Sequence, residues 1–225
     1  METKMSLAER IGVLVSGGLD SAILVGESVA RDDTVVPIYV REGLHWEGVE
    51  LDHLRRYLHA LGSSRLLPLK VLEQPVGDLM AGHWSVTGRD VPDADTPDEA
   101  VFLPARNVLL LAKAMLWCHL SGIPRLALAT LKSNPFPDAT PEFFRAFQDV
   151  VNRGVGSEVA VVRPYASMSK NDVMRRGAHL PLELTFSCIR PDKGIHCGLC
   201  NKCHERRLAF RETGLTDLSQ YARSS

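Results

Sequence analysis

An apolar run, Ile11–Val15, breaks directly into Ser16-Gly17-Gly18-Leu19-Asp20-Ser21. A run of that kind and length reads as a buried strand, and the apolar residues of Leu19–Ala30 recur at the three- and four-residue steps of a helix. Two adjacent glycines between them permit a tight turn and a close approach of the backbone to a ligand. Strand, glycine turn and helix together present unpaired N–H groups at the positive end of a helix, where an anion is stabilised. Ser16 and Ser21 add hydroxyl donors, and Asp20 offers a carboxylate for a magnesium ion that would neutralise phosphate. Ser16, Gly17, Gly18, Leu19, Asp20 and Ser21 therefore form a candidate polyphosphate cradle. The spacing is neither that of the Gly-x-x-x-x-Gly-Lys loop nor that of Gly-x-Gly-x-x-Gly dinucleotide binders.

The rest of the chain repeats the alternation. Strands are expected at Val35–Val40, Arg65–Leu72, Arg125–Ala129 and Val159–Val162. A helix is expected over Glu47–Leu61, closed by Gly62. This order predicts an α/β fold, a parallel sheet with helices on both faces, whose ligands sit at the carboxyl ends of the strands. Gln74–Ala100, with Pro75, Pro92 and Pro97, breaks the pattern and reads as a lid, a binding loop or a disordered segment, its acidic run as a solvated loop face. Phe102–Asn107 opens the apolar helix Val108–Leu120, with Pro104 in its first turn. Arg106 there offers a planar fork for phosphate or carboxylate, or simply pairs with an acid, and Asn107 offers a donor and acceptor for a base or sugar. Thr130–Thr140, which carries Phe136 and Asp138, is a loop expected at the ligand-facing edge. Phe143, Phe144 and Phe147 in the helix Pro141–Val151 read as core. Ser169 reads as a helix cap, and Lys170 behind it either reaches a phosphate or is an exposed lysine.

With 26 basic and 27 acidic residues the chain is close to neutral, which argues against a large nucleic-acid-binding surface. No apolar run is long enough to span a membrane, and the opening Met1–Arg10 is too polar for a signal peptide. Cys188, Cys197, Cys200 and Cys203 end in the spacing Cys-x-x-Cys-x-x-Cys, which suits a closed tetrahedral zinc site of structural kind. An iron–sulfur cluster is the competing reading. Thiols used in this way point to a reducing compartment, the cytoplasm. Residues 1–180 would form the phosphate-binding domain and 181–225 a small zinc-binding lobe. Monomer and homodimer both stay open.

The glycine loop resembles the pyrophosphatase loop of ATP-dependent adenylating enzymes. Together with Leu184–Cys188, Cys197–Cys203, Arg206 and Phe210, and with the Pro-x-Arg-Asn of Phe102–Asn107, it resembles the 7-cyano-7-deazaguanine synthase family of the queuosine pathway over nearly the whole chain. The resemblance implies an adenine nucleotide alpha hydrolase-like, Rossmann-like fold and ATP with magnesium as co-substrate. It also implies a deazapurine carboxylate and ammonia as the other small-molecule substrates. It places Asp20, Lys170 and Arg106 in the catalytic machinery, and Arg106, Asn107, Phe136 and Asp138 beside the substrate. Two segments depart from the family's pattern. Val40–Glu47 stands where the family shows aromatic-x-Gln-Arg-His, and Thr130–Asn134 lacks the acids that precede Tyr-Pro-Asp-Cys-Arg. The departures keep open a paralogue that adenylates another carboxylate, on a heterocycle or a protein C-terminus. A different class of reading is a zinc-dependent nucleic-acid-binding module, in which Lys193, Lys202, Arg206, Arg207 and Arg211 grip phosphates.

Overall fold

A computed structural model describes residues 10–31 and 33–223; the polar opening stretch, residues 1–9, lies outside them. The elements in order are β1 (Arg10–Leu14), α1 (Leu19–Ala30), β2 (Thr34–Arg41), α2 (Glu47–Leu61), β3 (Lys70–Glu73) and α3 (Trp84–Thr87). Then follow α4 (Arg106–Leu120), β4 (Arg125–Ala127), α5 (Pro141–Val155), β5 (Ala160–Val162), α6 (Lys170–Arg176) and α7 (Asn201–Thr213). The strands pair in parallel in the order β3-β2-β1-β4-β5. From β1 the chain winds outward to β3, then returns to the other side of β1 at β4. The carboxyl ends of β1 and β4 thus form the switch point at which such sheets bind ligands.

Alternation along the central strands builds a core on each face. Ile11 and Val13 of β1, with Val35 and Tyr39 of β2, pack towards α1, α2, α6 and α7. Leu14, Val36, Ile38 and Val40 pack towards α4 and α5, where Phe144 is buried and Phe143 and Phe147 lie against the same core. The terminators behave as their chemistry requires. Gly62 closes α2 in the left-handed region, at φ 55°. Ser169 and Asp172 form a reciprocal capping box at the start of α6.

Several expected bounds are corrected. β3 begins at Lys70, not Arg65, because Pro68 has no N–H to give the ladder. Upstream of it the chain is hydrogen-bonded to β2 at Val35, which donates to the Arg65 carbonyl and accepts from Leu67. Pro104 lies before α4 and not in its first turn. Ala105 is the cap residue, at φ 56°, and Arg106 is the first helical residue.

Gln74–Ala100 is not a free lid. Val76, Val91, Val101 and Leu103 share a third core with Trp46, Phe186 and the sulfurs of Cys188, Cys197, Cys200 and Cys203. Asn201 donates its backbone N–H to Pro92 O at 3.0 Å and its side-chain amide to Thr96 O at 3.0 Å. Trp84 stacks on Trp46 with ring centroids 5.7 Å apart. The cysteine segment is therefore packed into the molecule along one whole side. No helix among the described residues is long and apolar enough to cross a membrane.

Candidate functional site

β1 ends at the cradle. Gly17 adopts φ +74°, a conformation that L side chains rarely adopt, and a Cβ there would sit 3.1 Å from Glu50 Cγ and 3.3 Å from its carbonyl oxygen. Its own carbonyl accepts the Phe186 N–H at 2.8 Å, which ties the turn to the segment leading into Cys188. Gly18 caps α1 with no side chain of its own, leaving the first N–H groups of the helix open to a ligand. Ser21 Oγ accepts the Ser16 N–H at 3.2 Å and holds the turn closed.

Two further elements bring cations to this helix start. α6 delivers Lys170, whose Nζ donates to both carboxylate oxygens of Asp20 at 2.9 and 2.8 Å. Lys170 is thus no free surface lysine. α4 delivers Arg106, whose Nε donates to Glu42 Oε2 at 2.8 Å. The pairing with an acid is real, yet it uses one nitrogen. Among the described residues nothing hydrogen-bonds the two terminal nitrogens, and the side chain borders the cleft.

That cleft has two connected chambers. One of about 300 Å³ opens between Val40, Leu110, Leu128, Leu131 and Phe136. The other, of about 220 Å³, is walled by Gly18, Trp46, Glu50, Lys170, Phe186 and Ser187. Ser16, Asp20, Ser21 and Arg106 border both. Leu19 borders the second chamber alone. Phe136 faces the first chamber and packs on Phe102 with centroids 4.9 Å apart. Asn107 and Asp138 line neither chamber. Asp138 is buried and accepts the Asn107 backbone N–H at 2.9 Å, while the Asn107 amide donates to the Asp138 carbonyl at 3.1 Å. The pair clamps the Phe136 loop to the start of α4.

Beneath the second chamber lies a cluster of buried acids that no motif announced. Glu47 accepts the backbone N–H groups of Glu42 and Gly43, Glu42 holds Arg106, and Glu50 accepts the Tyr39 hydroxyl at 2.6 Å. Burial pushes the Glu50 carboxyl up to about 8, against the pull of Arg106 and the Tyr39 bond and with the push of Glu47 and Glu42. Between its ordinary value near 4.5 and about 8 the folded chain holds a proton that the unfolded chain has lost. The corresponding stability is full below the lower value and is lost as pH rises through the upper one. Glu50→Gln should therefore match the parent's melting temperature near pH 5 and exceed it near pH 9. Equal pH slopes for the two proteins would contradict this assignment.

The four cysteines converge although Cys188 is distant in sequence from the other three. Their sulfurs all lie within 4.8 Å of one another, buried, in a group that can hold a metal ion. Backbone N–H groups of Arg190 and Cys197 donate to Cys188 Sγ at 3.3 Å each, an arrangement that favours thiolate. His196 and His204 stand outside the group. His196, held neutral because burial pushes it down to about 3, accepts the Ser187 N–H.

Three of the basic residues around this centre are engaged within the molecule. Arg206 is 1% exposed and spends its guanidinium on Leu182 O, Thr185 Oγ1 and Ser219 Oγ, which ties the Cys188 segment to α7. Arg207 donates to the carbonyls of Gly198 and Arg223 and lies over the Tyr221 ring. Lys202 turns into the cleft.

The family model described as queuosine biosynthesis protein QueC matches residues 10–214. A 7-cyano-7-deazaguanine synthase of Syntrophobacter fumaroxidans is 32% identical, over 94% of this chain and 95% of that protein. One from Novosphingobium aromaticivorans is 34% identical over 93% of each chain. Another from Myxococcus xanthus is 30% identical over 97% of this chain and 100% of its own length.

Proposed function

The chain belongs to the queuosine biosynthesis protein QueC family, and from that premise we propose that it is an ATP-dependent ligase that makes 7-cyano-7-deazaguanine from 7-carboxy-7-deazaguanine and ammonia. The observation that carries the reading is the meeting, at the β1/β4 switch point, of an open helix start, Lys170 and Arg106 in a family match that runs through all three. In this reading the substrate carboxylate attacks the α-phosphorus of ATP, forming an acyl-adenylate and releasing pyrophosphate. Ammonia displaces AMP to give the amide. A second ATP activates the amide oxygen, and loss of AMP leaves the nitrile.

Each step asks for charge stabilisation and positioning, with no covalent bond to the protein. The N–H groups around Gly18 and Leu19, with Lys170, hold the leaving pyrophosphate. Asp20 would hold a magnesium ion, which would neutralise charge on the phosphate chain. Arg106, fixed through its Nε by Glu42, offers its terminal nitrogens to the reacting oxygens. Phe136 forms an apolar wall for a flat ring, and Asn107 and Asp138 hold that wall in place.

Zinc is the metal the sulfur geometry supports. Bonds of about 2.3 Å at tetrahedral angles require sulfurs about 3.8 Å apart. Cys188 and Cys200 stand at 3.8 Å, and Cys197 and Cys203 at 3.9 Å. An iron–sulfur cluster distributes its cysteines over several irons and spreads them wider. Four sulfurs close the shell, so the ion's part is structural.

One observation favours a second reading, in which the adenylated acid is a different one. Thr130, Leu131, Ser133 and Asn134 of the loop that lines the first chamber bring no carboxylate to face the exocyclic amine of a guanine-like ring, and the chamber's own acids, Asp20 and Glu205, are paired with Lys170 and Lys202. Product analysis separates the cases. Added 7-carboxy-7-deazaguanine should yield AMP and pyrophosphate in step with nitrile. Formation of ADP would rule out both readings.

A further inference from the structure

The metal-binding segment does more than brace the fold. α7 starts at the cysteine group, and its second residue, Lys202, lies between two metal-ligand candidates, Cys200 and Cys203. Lys202 and Glu205 border both chambers of the cleft, together with Ser16, Asp20, Ser21 and Arg106. Lys202 Nζ donates to Glu205 Oε2 at 2.6 Å, and Glu205 Oε1 stands 3.9 Å from Lys170 Nζ, which holds Asp20. Four alternating charges therefore run Asp20, Lys170, Glu205, Lys202, from α1 through α6 to α7. This chain ends at the junction of the chambers. An ordinary surface pair three residues apart on a helix would not share its acid with a lysine from another helix at the mouth of a cradle.

We propose that Lys202 is a phosphate-binding residue of the site, resting on Glu205 when the cleft is empty and turning to the phosphate chain of ATP when it is filled. The proposal rests on the ATP-dependent reading above. The four charges sum to zero in the empty site, whereas the triphosphate brings several negative charges to it. Such an anion competes with Asp20 and Glu205 for the two lysines, and every cation released from an internal acid becomes a charge-assisted partner for it. Lys170 comes from α6, but Lys202 comes from the helix whose first turn carries Cys203 and whose cap is Cys200, two of the four cysteines that can hold a metal ion.

The test is calorimetric titration of the metal-loaded protein with MgATP and, separately, with inorganic pyrophosphate. Lys202→Met is expected to weaken both by about tenfold, the size of one charge-assisted contact, at unchanged metal content and melting temperature. Lys202→Arg should recover most of the loss. Glu205→Gln frees the lysine and should tighten MgATP binding several-fold, and it serves where Lys202→Met fails to load metal. Parent-like affinities in both variants would overturn the proposal. Unchanged nucleotide affinity with a raised KM for 7-carboxy-7-deazaguanine would overturn it too, by assigning Lys202 to the substrate carboxylate. The titrations need no acid substrate, so a parent protein inactive on that acid refutes the functional reading and leaves this one decided on its own data.

Discussion

Cys200→Ser should release the metal and melt the side of the molecule built around it. All four sulfurs are buried, and they form part of a core that also contains Val91, Val101 and Leu103. In a site of this kind the binding energy of the ion, about 10–16 kcal/mol for structural zinc, is folding energy. A serine oxygen in place of one thiolate forfeits several kcal/mol of it, a large share of the 5–15 kcal/mol that typically separates folded from unfolded chains. The loss should spread beyond α7, because Asn201 ties Pro92 and Thr96, and Phe186 ties Gly17. Elemental analysis, thermal melting and limited proteolysis should show metal loss, a melting temperature lowered by ten degrees or more on the order-of-magnitude scaling for a domain of this size, and cleavage within 74–103. Full metal content with a parent-like melting curve would contradict the structural assignment of the centre.

Asp20→Ala should do the opposite. Its carboxylate is partly exposed and its hydrogen-bond partner is Lys170, so stability should change by no more than about 1 kcal/mol. Turnover should fall by at least about 100-fold, the usual cost of removing one preorganised electrostatic partner from a reacting centre. The alanine leaves Lys170 with Glu205, 3.9 Å away, as its acid, so MgATP can still bind while the reaction stalls. Wild-type rates from a folded Asp20→Ala protein would show that the glycine turn cradles something other than the reacting phosphates.

The sheet and its cradle were legible because their signals are local. β-branched runs, the glycine pair and the capping residues each act within a few positions, and α1, α2 and the cap of α6 fall where those residues put them. The cysteine group was legible for a similar reason, since three of its members share one short spacing. What escaped was long-range pairing. Glu42, Glu47 and Glu50 look in sequence like the polar face of a surface helix and its lead-in, yet they are buried under Arg106. Lys202 and Glu205 look like an exposed helical pair, and only the packing of α7 against α6 turns them into the cleft. Gln74–Ala100 reads as a loop because its apolar residues have no period, although Val76 and Val91 are core once the cysteine segment lies over them. Pro68 carried a warning about β3 that hydrophobicity alone overrode.

The most direct test of the central claim is ATP–pyrophosphate exchange by the metal-loaded protein, with and without 7-carboxy-7-deazaguanine and without ammonia. The account predicts exchange of label from pyrophosphate into ATP that appears only when the acid is added, because adenylation of its carboxylate is the reversible step that releases pyrophosphate. Exchange that ignores the acid, or no exchange from a protein that binds MgATP, would contradict it.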